Sequence, residues 1–191
     1  MQIIFQKDIR ASLSVLKNGG LILYPTDTIW GIGCNALNSS AVEKIYKLKK
    51  RPDEKAMIIL VSDEEQLGKF IRNIPSAISE YLKKATKPTT VIYKDPAGLP
   101  ANLISKEGTI AIRIVQDEFC KKLIESLGSP IVSTSANISG EPSPQNFSQI
   151  NPEIKNGVDF IVQHRQNDFT TAAPSSIIKF KDEGIIEIIR S

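Results

Sequence analysis

The amino-acid sequence predicts an α/β domain built on a twisted, mixed parallel and antiparallel sheet with flanking helices. Three observations lead there. Segments with helical apolar spacing are interspersed with short β-rich runs along the whole chain. The last two β-rich runs are separated by Asp182-Glu183-Gly184, a hairpin signal that adds an antiparallel pair to strands otherwise joined through helices. The 191 residues, 41% hydrophobic and 24% charged, suffice to bury one core, so a single domain covering 1–191 is expected.

The elements follow in order. Ile9, Leu13 and Leu16 mark a helix within residues 7–17, which Gly19-Gly20 stops. Residues 21–24 are a short apolar strand closed by Pro25. The next segment, Pro25-Thr26-Asp27-Thr28-Ile29-Trp30-Gly31-Ile32-Gly33, is polar and glycine-bearing and leaves a strand end, where open α/β sheets place ligands. Ser40-Ala41-Val42-Glu43 has capping-box spacing, Val42, Ile45 and Tyr46 give the following helix one apolar face, and Pro52 ends it near Lys50.

Residues 57–61 read as a strand, 62–72 and 75–84 as helices, and 89–93 and 109–115 as strands. In the last of these Ile110, Ile112 and Ile114 alternate with Ala111, Arg113 and Val115, so Arg113 points away from the isoleucine face. Phe119, Leu123 and Leu127 mark a helix closed by Gly128. A strand over 130–133 leads into a loop over 134–144, and strands are expected near 160–162, 176–180 and 185–190.

Composition narrows the chemistry. A formal charge of +3 and a pI near 8.8 fit an anionic small substrate or weak nucleic-acid contact. Cys34 and Cys120 are too few and too far apart for a disulfide scaffold or a tetrahedral zinc site, which predicts free thiols and a cytoplasmic location. The first ten residues hold no long apolar run, and the apolar runs elsewhere are soon broken, so neither signal peptide nor membrane span is expected. His164 is the one histidine and has no Cys/His/Asp cluster beside it, which argues against a histidine-based triad or metal site.

The sequence has no P-loop, and Gly31-Ile32-Gly33 lacks the third glycine of a dinucleotide fingerprint, so any nucleotide is held in another way. Lys44, Lys47, Lys49, Lys50, Arg51 and Lys55 could clamp a polyphosphate. Lys44, Lys47 and Arg51 also share one helix side, the pattern of a solvated face. Ser133-Thr134-Ser135-Ala136-Asn137 offers three hydroxyls and an amide to phosphate oxygens, in a composition that turns also favour. Together with Pro25-Thr26-Asp27-Thr28 these segments could form one site from distant loops.

At these residues the sequence resembles the YrdC/YciO family, and within it the single-domain threonylcarbamoyl-AMP synthases. The resemblance rests on Pro25 through Gly33, on Lys49-Lys50-Arg51-Pro52 as a Lys-x-Arg element, and on Ser135-Ala136-Asn137 with Ser139-Gly140 as a Ser-x-Asn element. It implies an enzyme that joins L-threonine, bicarbonate and ATP into threonylcarbamoyl-AMP with release of pyrophosphate, with Mg²⁺ carried by the ATP. A tRNA threonylcarbamoyl-transferase complex would act downstream. Lys49, Arg51, Ser135 and Asn137 would be catalytic; Thr28, Arg113 and Ser133 would contact threonine; Arg51, Lys55, Thr109, Ser135, Ser143 and Arg190 would surround ATP. No protein-bound metal and no additional C-terminal domain are implied. Trp30 stands where many members have Tyr, and Leu60 where some have a His beside threonine. The rival readings are a YciO-like paralogue without this activity and an RNA-binding protein; weak RNA binding would fit the basic groove, although only 6% of residues are aromatic.

Overall fold

A computed structural model describes residues 2–50, 57–171, 173–180 and 185–191. It contains α1 (Gln2–Lys17), β1 (Ile22–Tyr24), β2 (Gly31–Gly33), α2 (Ser39–Leu48), β3 (Ile58–Val61), α3 (Glu64–Gly68), α4 (Ser76–Lys84), β4 (Thr89–Lys94), β5 (Thr109–Ile114), α5 (Glu118–Leu127), β6 (Ile131–Ser135), α6 (Pro152–Asn156), β7 (Phe160–Ile161), β8 (Ser176–Phe180) and β9 (Ile186–Arg190). The strands form one sheet in the order β7-β1-β2-β6-β3-β5-β4-β8-β9. The pairs β1/β7, β3/β5 and β4/β8 are parallel and the other pairs antiparallel, the mixed sheet that the sequence predicts.

Register explains the layering, because residues paired across strands share a face and their sequence neighbours take the other. Val132, Ile59, Ile112, Val91 and Ile178 pair in one row across five strands, and all are buried in the larger core. That face is covered by Val42, Ile45 and Tyr46 of α2, Leu67 of α3 and Ile78 of α4. On the opposite face Ser133, Ile58, Ala111 and Ile92 form the adjacent row. Here α1 and α5 bury a smaller core over Ile22, Tyr24, Leu60 and Ile131, and the rest of the face is open.

Several boundaries differ from the sequence expectation for identifiable reasons. The helix α1 starts well before residue 7, and Phe5 there packs edge-on against Phe119 of α5, with ring centroids 5.4 Å apart. The glycine-bearing segment contains a strand, β2, which the two glycines flanking Ile32 concealed. Asn38, not Ser40, caps α2: its Oδ1 accepts from the Ala41 amide at 3.0 Å. The helix expected over 62–72 is only five residues long, capped by Asp63 and ended beyond Gly68, and the Phe70 carbonyl bonds instead to the Ala97 amide at 2.8 Å. The strand expected to end at Ser133 continues to Ser135, and α6 was not expected. The Asp182-Glu183-Gly184 turn lies outside the described residues.

Candidate active-site cleft

The open part of the sheet face forms a cleft of ≈ 330 Å³. Its floor is built from β6, β3, β5 and β4, through Ser133, Ser135, Ile58, Ala111, Arg113, Thr109 and Ile92. One wall is the 25–33 segment with Thr28 and Trp30, and the other is Ser175, Ile177 and Arg190. Ser143 reaches it from the loop after β6. Thus Thr28, Arg113, Ser133, Ser135, Thr109, Ser143 and Arg190, scattered over more than 160 positions, line one cavity.

Each is positioned by local structure. The Thr26 Oγ1 accepts from the Thr28 amide at 3.0 Å and donates to the Ile29 carbonyl at 2.8 Å, a tight turn that leaves Thr28 on the cleft wall. Gly31 lets that wall close on β6, since a Cβ there would stand 3.1 Å from the Ser133 Oγ. Trp30 is pinned by Phe147, whose ring centroid lies 4.9 Å away. Arg190 donates from Nε and Nη2 to the Ser175 carbonyl at 3.0 and 2.8 Å. Partial burial holds its pKa below the ordinary arginine value, and the positive field of Arg113 acts in the same direction. Two guanidiniums therefore share one cleft, whose lining carries no carboxylate among the described residues, and an anion is the natural occupant.

Arg113 occupies the non-isoleucine face as expected, but it is only 4% exposed, so that face is itself interior at this point. Its Nη2 stands 2.8 Å from the buried Asp27 Oδ1. Asp27 belongs to the quoted motif, yet nothing in the sequence singled it out as the partner of Arg113.

Lys49 and Asn137 are brought beside the cleft rather than into its lining. Lys49 is 1% exposed, and its ammonium donates to the Ser135 carbonyl, to the Asn137 carbonyl at 2.6 Å and toward Asn137 Oδ1 at 3.5 Å. Asn137 Nδ2 donates to the Ile138 and Glu141 carbonyls at 3.0 and 2.6 Å. The pair thus shapes the turn that presents Ser135. Arg51 and Lys55 lie outside the described residues. The other lysines of the run have partners elsewhere: Lys44 donates to the Gly19 carbonyl at 2.8 Å, and Lys47 and Lys50 pair with Glu43 and Glu153.

Leu60 is Arg113's register partner but is fully buried under α1 and α5 and does not line the cleft. His164 is packed between Phe5 and Phe119, at centroid distances of 5.3 and 5.6 Å, and does not line the cleft. Cys34 and Cys120 are free and buried. Burial pushes the Cys34 thiol up to about 12 and the Cys120 thiol well above its ordinary range, which keeps both in the unreactive protonated form. No helix among the described residues is long and apolar enough to cross a membrane.

Tyr24 lies beneath the site. Gly33 makes room for its ring, since a Cβ on Gly33 would come within 2.7 Å of Tyr24 Cε1. The phenol is fully buried, and its hydroxyl is near that of Ser133 but makes no well-formed hydrogen bond among the described residues. Burial raises its pKa well above the ordinary phenol value. Because that hydroxyl carries its desolvation cost without a well-formed bond, Tyr24→Phe is expected to change stability by less than about 1 kcal/mol, or to raise it, in a denaturant melt.

Comparison with known proteins identifies the family and the fold. The Sua5/YciO/YrdC family model, described as telomere recombination, matches residues 14–191. A threonylcarbamoyl-AMP synthase of Stenotrophomonas maltophilia is 32% identical over 168 residues, covering 86% of this chain and 90% of that protein. Among solved structures, P. abyssi Sua5 complexed with L-threonine superposes with a TM-score of 0.83 at 28% identity, over 95% of this chain; the chain spans only 53% of that protein. E. coli YciO superposes with a TM-score of 0.81 at 23% identity, over 100% of this chain and 89% of YciO, a likeness of fold. A family match spanning nearly the whole sequence, on the fold these relatives share, means that the chain belongs to the Sua5/YciO/YrdC family.

Proposed function

We propose that this chain synthesises threonylcarbamoyl-AMP and pyrophosphate from L-threonine, bicarbonate and ATP, for the threonylcarbamoyladenosine modification of tRNA. The observation that carries the reading is a single cleft with one buried arginine, Arg113, beside the hydroxyls of Thr28 and Ser133, and a second arginine, Arg190, at its far wall. The first group suits the carboxylate and polar atoms of an amino acid. The second, with Thr109, Ser135 and Ser143, suits a nucleotide lying along the apolar strip of Ile58, Ile92 and Ile177.

In this mechanism the threonine amine adds to bicarbonate and loses water to give a carbamate. A carbamate oxygen then attacks the α-phosphorus, the bond to the bridging oxygen breaks, and pyrophosphate leaves with that electron pair. No covalent enzyme intermediate is needed; positioning and charge stabilisation supply the catalysis. The cleft offers neutral hydroxyls rather than carboxylates, so Mg²⁺ fits as an ion carried by the phosphates and water. Lys49 and Asn137 contribute by fixing the Ser135 turn, and Arg51 and Lys55, through the resemblance, by neutralising phosphate. The product would pass to a tRNA threonylcarbamoyl-transferase complex.

Pyrophosphate release with ATP and bicarbonate, in the presence of L-threonine, L-serine or no amino acid, tests the reading. Threonine-dependent release together with the adduct mass is the expected result. ATP binding without adduct would favour a YciO-like activity, and salt-sensitive RNA binding without turnover an RNA-binding role.

A further inference from the structure

The ion pair beneath the cleft is more than a counterion for a buried arginine. Asp27 Oδ1 stands 2.8 Å from Arg113 Nη2, both side chains are more than nine-tenths buried, and the angle falls short of a hydrogen bond. Arg113 Nε, which shares the same edge of the guanidinium as Nη2, is also buried and, among the described residues, without a hydrogen-bond partner, as is Asp27 Oδ1. The unsatisfied donor and acceptor thus belong to one ion pair, where a small reorientation would make the contact bidentate.

Asp27 is held there from both sides. The carbonyls of the two preceding residues are anchored to other elements: that of Pro25 accepts from the Cys120 thiol at 3.4 Å, and that of Thr26 from Arg165 Nη1 at 3.1 Å. Arg165 also pairs with Asp117 and Asp168, at 3.2 and 3.3 Å. The Gln116 amide donates to Asp27 Oδ2 at 3.4 Å. The carboxylate is therefore built into the end of β5 and the start of α5.

We propose that Asp27 is a positioning residue: it grips the Nε/Nη2 edge of Arg113 and turns the opposite, Nη1 edge to the cleft, where that edge receives the carboxylate of the amino-acid substrate. This rests on the synthase reading above and deepens it. Asp27 sets which edge of a planar fork is offered, and hence the orientation in which the amine is presented for carbamate formation.

The test combines steady-state kinetics with direct L-threonine binding on the full chain. Asp27→Asn is expected to raise the KM and Kd for L-threonine about tenfold or more, leaving the KM for ATP within about twofold and lowering kcat less than KM rises. Asp27→Glu, which restores the charge, is expected to recover most of the loss. Unchanged or tighter threonine binding in Asp27→Asn, or an equal loss for both substrates, would reduce Asp27 to a structural counterion. Should that variant fail to fold, the wild-type protein crystallised with L-threonine decides: the inference expects Asp27 on one edge of Arg113 and the ligand carboxylate on the other, and is overturned if the ligand displaces Asp27 or bypasses Arg113. Wild-type protein that binds no L-threonine would remove the synthase reading and this inference together, whereas threonine binding that is insensitive to Asp27 removes only the inference.

Discussion

Lys49→Ala is expected to lower unfolding free energy by about 3–5 kcal/mol, because it leaves buried carbonyls without a donor and opens a cavity where a long side chain was fully enclosed. For a domain of this size that corresponds to a fall in melting temperature of roughly 10 °C. Turnover should be lost as well, since the Ser135 and Asn137 carbonyls that the ammonium ties together define the turn at the cleft edge. The combination is the informative part. A lysine whose task is to contact phosphate from solvent would, on truncation, cost activity at an unchanged melting temperature, and that outcome would contradict the buried position. Lys49→Met refines the test: it refills most of the volume, so the remaining loss, about 1–3 kcal/mol, reports the unsatisfied carbonyls alone.

Arg113→Met is expected to abolish threonine-dependent pyrophosphate release, by at least about a hundredfold in kcat/KM, while Arg113→Lys should lose roughly tenfold or more because an ammonium cannot reproduce a planar fork. The Met variant should also be less stable by about 3–5 kcal/mol, since it strands the Asp27 carboxylate in the interior. From this follows a sharper expectation. The double variant Asp27→Asn/Arg113→Met removes both charges and should be more stable than Arg113→Met alone, yet equally inactive. Thermal denaturation and pyrophosphate assays of the four proteins in the cycle check both halves. A double variant less stable than Arg113→Met would mean that Asp27 is stabilised by groups other than Arg113.

Much of the fold was legible because it depends on local pattern. The alternation in β5 separated Ile110 and Ile112 from Arg113, and the structure keeps them on opposite faces. Gly128 ends α5 in the left-handed conformation, φ 74°, that only glycine adopts at little cost. The strand β2 escaped notice because its one strand-forming residue, Ile32, lies between two glycines. It is a strand because it lies between β1 and β6, with backbone so close that a side chain on Gly33 would meet the Val132 carbonyl at 2.8 Å.

Within the site, the residue types suited to anion binding could be read from the chain: Arg113, Arg190, Thr28 and the Ser133–Ser135 hydroxyls converge on one cleft. Their grouping by spacing was less informative. Lys44, Lys47, Lys49 and Lys50 form one run in sequence, but helix geometry sends them to different neighbours, with Lys49 alone entering the interior. The pairing of Asp27 with Arg113 could not be read at all, because it joins residues 86 positions apart, with β2, β3 and β4 between them along the chain. The sequence by itself determined the sheet-and-helix class, the periodic core faces and the inventory of anion-binding groups, all consequences of short-range sterics and burial. Only the tertiary structure decided which charges face the cleft and which are enclosed, because burial and ion pairing depend on strand order and on which part of a sheet face the helices leave open.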